Sequence, residues 1–219
     1  MSDSLDVQII PAVLPKNLEE LEMALASLRG VAPVIQIDLV GENILANETA
    51  MPLWESFDFE FDIMLPDPAA HIEKCVALGA SRIVVHADGK NAKEALESMQ
   101  HLRGGSCAVE AGIALRAHDE PSALAPFEGL FDYVQVMGID TIGVQGEPPD
   151  PHHKELELLK ALRVLYPTLP LQCDGAVGAH PREVAEAGAT RLVIGSGITK
   201  AEDPLEAFER LEKTLRYEN

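Results

Sequence analysis

The chain has 219 residues, 47% of them apolar and 24% charged, enough to bury one large core, with no linker or low-complexity tract to divide it. Its 36 acidic against 17 basic residues leave a formal charge of −19, which excludes the broad basic surface that nucleic acid or an anionic membrane rewards. No apolar run approaches the roughly 18 to 20 residues of a bilayer span, and the opening Met1-Ser2-Asp3-Ser4-Leu5-Asp6 lacks the basic and apolar regions of a signal peptide, so a cytoplasmic protein is expected.

Short apolar runs suited to buried strands recur along the chain, each followed by a stretch of helical periodicity. Strands are expected over residues 7–13, 34–39, 57–64, 82–86, 108–115, 133–137, 171–174 and 191–194. Helices are expected over 17–28, 68–78, 92–102, 121–129, 150–166, 181–187 and 204–216, with only a short piece around 49–56. Asn17 and Asp203 have the chemistry of N-caps, and Gly79 and Gly188 stand where helices stop. Eight βα units in one domain spanning 1–219 predict an α/β fold, a (β/α)8 barrel, with a doubly wound open sheet as the other arrangement. Gly79-Ala80-Ser81-Arg82 and Gly188-Ala189-Thr190-Arg191 repeat one pattern half a chain apart, either as a trace of two similar barrel halves or as one good helix-to-strand turn used twice. Three cysteines, Cys75, Cys107 and Cys173, have neither an even count nor metal-like spacing, and read as reduced, buried hydrophobes.

A barrel of this kind works at the carboxyl ends of its strands. Strand two delivers Gln36 and Asp38 there, strand three Asp62 and Met64, strand four His86 and Asp88, strand five Arg116 and His118, and strand seven Asp174 and Gly175. Asp38 ends an otherwise apolar, β-branched run, which a charge tolerates only where the strand opens onto solvent, a ligand or a metal. In Phe57-Asp58-Phe59-Glu60-Phe61 the acids share one face and the phenylalanines the other, which allows a solvated outward face for Asp58 and Glu60, while Asp62, of the same parity at the strand's end, can equally turn into the barrel mouth. Strand eight runs into Gly195-Ser196-Gly197, where backbone N–H groups and a hydroxyl can cradle a phosphate, with Gly175 as the strand-seven half. His152, His153, Lys90 and Lys200 read as solvated, and His86 as either a backbone-bonded core histidine or a substrate contact.

These residues carry a resemblance to the ribulose-phosphate 3-epimerases of the ribulose-phosphate-binding barrel superfamily. Its anchors are Ile10-Pro11-Ala12-Val13-Leu14, Gln36 through Asn47, Asp62-Ile63-Met64 with Pro68, Val85-His86-Ala87, Val136-Met137 with Gly143-Val144-Gln145, Cys173-Asp174-Gly175, and Ile194 through Ile198. The resemblance implies a barrel that moves a proton at C3 of a phosphorylated ketopentose, with Asp38 and Asp174 as acid and base. It further implies Gly143, Gly175, Gly195 and Ser196 at the phosphate, and Met64 and His86 near the substrate. It implies a divalent metal as well, held in the family by two histidines and the two aspartates.

This chain has Gln36 and Asp62 where the family has those histidines. Ala12 replaces a serine, Gly41-Glu42 replaces an acid and a glycine, and Asp140-Thr141-Ile142 replaces a Pro-Gly-Phe segment. Gln36, Asp38, Asp62 and Asp174 form an all-oxygen set that suits Mg²⁺ or Mn²⁺ better than Zn²⁺. Without a metal, the acids must repel, raising at least one pKa, or pair with Arg116. Three functions follow: a sugar-phosphate epimerase, a non-catalytic barrel binding a phosphorylated metabolite, and another enediolate reaction such as decarboxylation. The last would want an acid-x-Lys pair on strand three. A homo-oligomer is a further expectation by analogy.

Overall fold

A computed structural model describes residues 6–46, 51, 54–103, 109–149 and 151–216. Asn47, Thr49, Cys107, Ala108 and Asp150, as well as residues 1–5, lie outside that set. Strands β1 (Gln8–Val13), β2 (Val34–Leu39), β3 (Asp58–Ile63), β4 (Ala80–His86), β5 (Glu110–Arg116), β6 (Tyr133–Met137), β7 (Leu171–Asp174) and β8 (Arg191–Ile194) fall within two residues of the expected bounds. All neighbours pair in parallel, and β1 joins both β2 and β8, so the sheet closes into a (β/α)8 barrel and the open-sheet alternative falls.

Seven α-helices lie between or after the strands among the described residues: α1 (Leu18–Ser27), α2 (Ile72–Ala77), α3 (Ala92–Arg103), α4 (Lys154–Leu165), α5 (Pro181–Glu186), α6 (Ser196–Thr199) and α7 (Pro204–Arg216). Asn17 and Asp203 cap as expected: Asn17 Oδ1 accepts from Glu20 N at 2.9 Å and Asp203 Oδ1 from Glu206 N at 3.0 Å. Gly79 and Gly188 follow α2 and α5 with φ of 98° and 118°. Three expected helices change character. Residues 68–78 begin as a 3₁₀ turn, Pro68–His71, before α2. Pro121–Phe127 stays 3₁₀, because Pro126 removes a donor that an α-helix would need. Pro148, Pro149 and Pro151 each lack a backbone N–H donor, residues 151–152 form a turn, and α4 starts only at Lys154. No helix of the described residues is long and apolar enough to cross a membrane.

The strands' outward residues, Phe59, Phe61, Ile35, Ile37, Val134 and Val136 among them, pack under the helices as the main apolar core. Parity then decides what fills the barrel. Among the described residues two small apolar clusters point inward, Ile10, Ala12, Val34 and Val193 on one side and Val84, Ala114 and Tyr133 on the other. Elsewhere the interior is polar, unlike the Val/Ile/Leu layers common in such barrels. The solvated outward face left possible for Asp58 and Glu60 holds for Asp58, which is exposed, and not for Glu60, which is fully buried, because putting the phenylalanines under the helices turns that acid inward.

Candidate active site

A barrel lined with polar groups must satisfy them internally, and it does so in layers. At the floor, Arg191 Nη2 donates to Glu110 Oε2 at 2.9 Å, Arg82 Nε lies 3.5 Å from the same oxygen, and Arg191 stacks 4.8 Å over the Tyr133 ring. Tyr133 in turn donates its hydroxyl to Glu60 Oε2 at 2.9 Å. Above this, Gln172 Nε2 approaches Glu60 Oε1 (2.7 Å), Gln135 Oε1 (2.7 Å) and Gln36 Oε1 (3.3 Å). With the oxygens of Gln135 and Gln36 facing Gln172, their amide nitrogens face the mouth. Gln135 Nε2 donates to Asp62 Oδ2 at 2.7 Å, and Gln36 Nε2 donates to Asp38 Oδ1 at 2.8 Å and Asp174 Oδ2 at 3.0 Å.

The mouth thus gathers Asp38, Asp62 and Asp174, all buried, each offering an oxygen within 4.8 Å of the others. Burial, and then the Asp174 and Asp62 charges, push the Asp38 carboxyl well above its ordinary range, against the Gln36 hydrogen bond. Burial and the Asp62 charge likewise raise Asp174, to about 7. His86 Nε2 sits 3.0 Å from Asp62 Oδ1. Burial opposes the His86 charge, but the Asp62 carboxylate outweighs it and holds the imidazole's pKa above its usual value.

A divalent cation fits this set, since three crowded, buried carboxylates are what a hard ion would neutralise. Gln36 turns its nitrogen, not its oxygen, to that centre; a place as fourth oxygen ligand would require the amide to turn over. Arg116 is not the acids' counter-charge. Its guanidinium is committed to Asp88, through Nε at 2.9 Å and Nη2 at 2.8 Å, and to the Asp140 carbonyl.

Above the acids lies a cavity of about 280 Å³ with Asp38, Asp174 and Met64 at its base and Gly143, Gly195 and Ser196 on its walls. The glycines are needed where they stand. A Cβ on Gly175, at φ 97°, would meet Ile139 Cγ1 at 2.7 Å, and one on Gly143, at φ 82°, would meet Val40 Cγ1 at 2.7 Å. On Gly195 it would press Gln145 Nε2 at 2.8 Å, the amide that reaches across the mouth to the Ala12 carbonyl at 3.3 Å. His86 lines an adjoining cavity of about 440 Å³, with Met64, Asp88, Lys90 and Arg116; its bond runs to Asp62 rather than to backbone. Lys90, Lys200 and His152 are exposed. Cys75 and Cys173 are buried free thiols; burial pushes Cys75 to about 12 and Cys173 well above its usual value, which leaves both inert.

Sequence reading missed the supporting layer, Glu60, Tyr133, Gln135 and Gln172, and gave Gln145 no role. A signal existed. Gln36-Ile-Asp38, Glu60-Phe-Asp62, Gln135-Val-Met137 and Gln172-Cys-Asp174 each place a polar group two residues before a mouth residue, and so on the same strand face.

Residues 8–199 match the model of the Ribulose-phosphate 3 epimerase family. A ribulose-phosphate 3-epimerase of Schizosaccharomyces pombe is 24% identical over 95% of this chain and 93% of its own. An orotidine 5'-phosphate decarboxylase of Synechococcus is 30% identical over 80% of each. Among solved structures, KGPDC from Streptococcus mutans superposes with a TM-score of 0.72 at 15% identity, covering 95% of this chain and 98% of that one.

Proposed function

The chain belongs to the ribulose-phosphate 3-epimerase family, and from that premise we propose that it epimerises a phosphorylated ketose, moving a proton next to the ketone with Asp38 and Asp174. The observation that carries this reading is the Gln36 amide. It links a carboxyl from β2 to one from β7 at the base of a glycine-walled cavity, and one of the pair titrates near neutrality. A base poised near the working pH, beside a second carboxyl whose proton affinity burial has raised, is what removal and return of a proton require. Because the two acids are coupled, the pH profile belongs to the pair.

Gln36 ties one oxygen of each carboxyl and so orients both at the cavity they line. The backbone N–H groups of Gly195 to Gly197 and the Ser196 hydroxyl receive the phosphate, and Gly175 lets the chain approach it closely. The segment 143–145, held by Gln145 to the Ala12 carbonyl, forms part of the cavity wall beside the substrate. Asp38, Asp62 and Asp174 would hold the divalent ion, Mg²⁺ or Mn²⁺ by donor type, and when bound it supplies positive charge beside the developing enediolate.

The test is proton exchange at C3 of ribulose 5-phosphate in deuterated water. Exchange by the parent chain, lost on Asp38→Asn and on Asp174→Asn, is expected. The replacement of the family's ligand histidines by Gln36 and Asp62 favours a second reading, binding of a phosphorylated metabolite without turnover. Saturable binding with no exchange in the parent, with Mg²⁺ or Mn²⁺ added, would favour that reading over epimerisation. For decarboxylation, Met64 stands where a lysine would be wanted, and a thioether supplies no proton.

A further inference from the structure

A second set of ligating side chains lies outside the acids of the mouth. His153 directly precedes α4, Glu155 sits in its first turn, and His180 directly precedes α5. His153 Nδ1 is 3.2 Å from Glu155 Oε1, His180 Nε2 is 3.0 Å from the same oxygen, and the two rings meet edge to face with centroids 4.9 Å apart. Glu155 is 1% exposed, and its charged partners among the described residues are these two imidazoles. Its other oxygen, Oε2, is buried with no hydrogen-bond partner.

We propose that His153, Glu155 and His180 bind a borderline divalent transition ion, with Zn²⁺ as its representative, and that this ion fastens the β6–α4 connection to the segment after β7. Two imidazoles and one carboxylate suit such an ion better than Mg²⁺ or Ca²⁺. Bonds of roughly 2.0–2.2 Å put neighbouring donors roughly 3.0–3.5 Å apart, and the 3.0 and 3.2 Å separations already have that span. A purely hydrogen-bonded cluster explains less. It would aim two N–H groups at one oxygen and leave Oε2 bare in the interior, where a carboxylate oxygen normally has donors. Rotation of the carboxylate to share the ion gives Oε2 a partner. The His153 side chain is 45% exposed, which provides an entry path and room for water as a further ligand.

The site has a consequence for the cavity. Pro148 and Pro149 before His153, and Val177, Gly178 and Ala179 before His180, all line it. An ion between the two segments would hold that wall together, whatever reaction the mouth performs.

The test uses untagged full-length chain, stripped with chelator and carrying Asp38→Asn and Asp174→Asn to remove the acidic set at the mouth. Zn²⁺ is titrated by calorimetry, and Cu²⁺ is followed by pulsed electron paramagnetic resonance. One Zn²⁺ per chain and Cu²⁺ coupled to two imidazoles are expected. His153→Gln, at a half-exposed position that the fold tolerates, should leave one coupled imidazole and weaken Zn²⁺ by more than the roughly 10- to 100-fold that loss of an outer-shell partner costs. His180→Gln should do the same. No imidazole coupling, or Zn²⁺ affinity unchanged in both single-histidine variants, would overturn the proposal and mark any binding as adventitious.

Discussion

Asp174 keeps a proton in the fold that it would release in the unfolded chain, because burial and the neighbouring Asp62 raise it from 3.8 to about 7. Its contribution to stability is therefore complete below about pH 4 and is lost as pH rises toward 7, since the unfolded state binds fewer protons in that window. Asp174→Asn removes the penalty. Thermal melts in chelator should find the variant more stable than the parent at pH 8, by up to about 4 kcal/mol, with the two converging near pH 4. A parent melting curve that does not respond to pH between 4 and 8 would refute this. Asp174, Asp38 and Asp62 were all legible in the sequence as carboxylates at strand ends. The Gln36 amide facing two of them was not, because which atoms of an amide meet which neighbour depends on Gln172, on the far side of the barrel.

At the scale of elements, the barrel's polar interior makes packing against Tyr133 exacting. A Cβ on Gly112 of β5 would fall 2.5 Å from the Tyr133 ring, so Gly112→Ala must displace the ring that donates to Glu60. The expected cost is about 1–3 kcal/mol, read from the urea midpoint at unchanged m-value. Tyr133→Phe leaves the ring and removes only the donor to a buried Glu60, whose own pKa burial has already raised. That should also cost about 1–3 kcal/mol, read from the same urea midpoints. The repeated Gly-Ala-(Ser/Thr)-Arg segments turn out to do one job twice. Ser81 Oγ donates to the Phe59 carbonyl and Thr190 Oγ1 to the Leu171 carbonyl, each on the preceding strand, and both arginines then reach Glu110 at the floor. The pattern was visible in the sequence; the meeting of its arginines required closure.

For the whole molecule, a charge of −19 sets the terms on which the phosphorylated ketose proposed as substrate would arrive. The walls of the mouth cavity contain no lysine or arginine among the described residues, so in chelator, with no ion on the acids, repulsion is not offset locally. Association with a sugar phosphate should therefore quicken as salt rises from about 10 to 150 mM, where the screening length shrinks to about 8 Å. Stopped-flow or kcat/KM measurements across that range check it, and a rate that falls with salt would point to an undetected basic approach.

What the sequence determined by itself was local: the alternation of eight apolar runs with helical stretches, the caps at Asn17 and Asp203, the glycines at Gly79 and Gly188, and three acids at strand ends. Each rests on periodicity or on backbone preference within a few residues. The tertiary structure decided which way each strand faces, and so that Glu60 lies inside, that Arg116 answers Asp88 rather than the mouth, and that His153, Glu155 and His180 come together. Those outcomes depend on burying the phenylalanines of β3 under the helices and on closing β8 against β1, which bring together groups far apart along the chain.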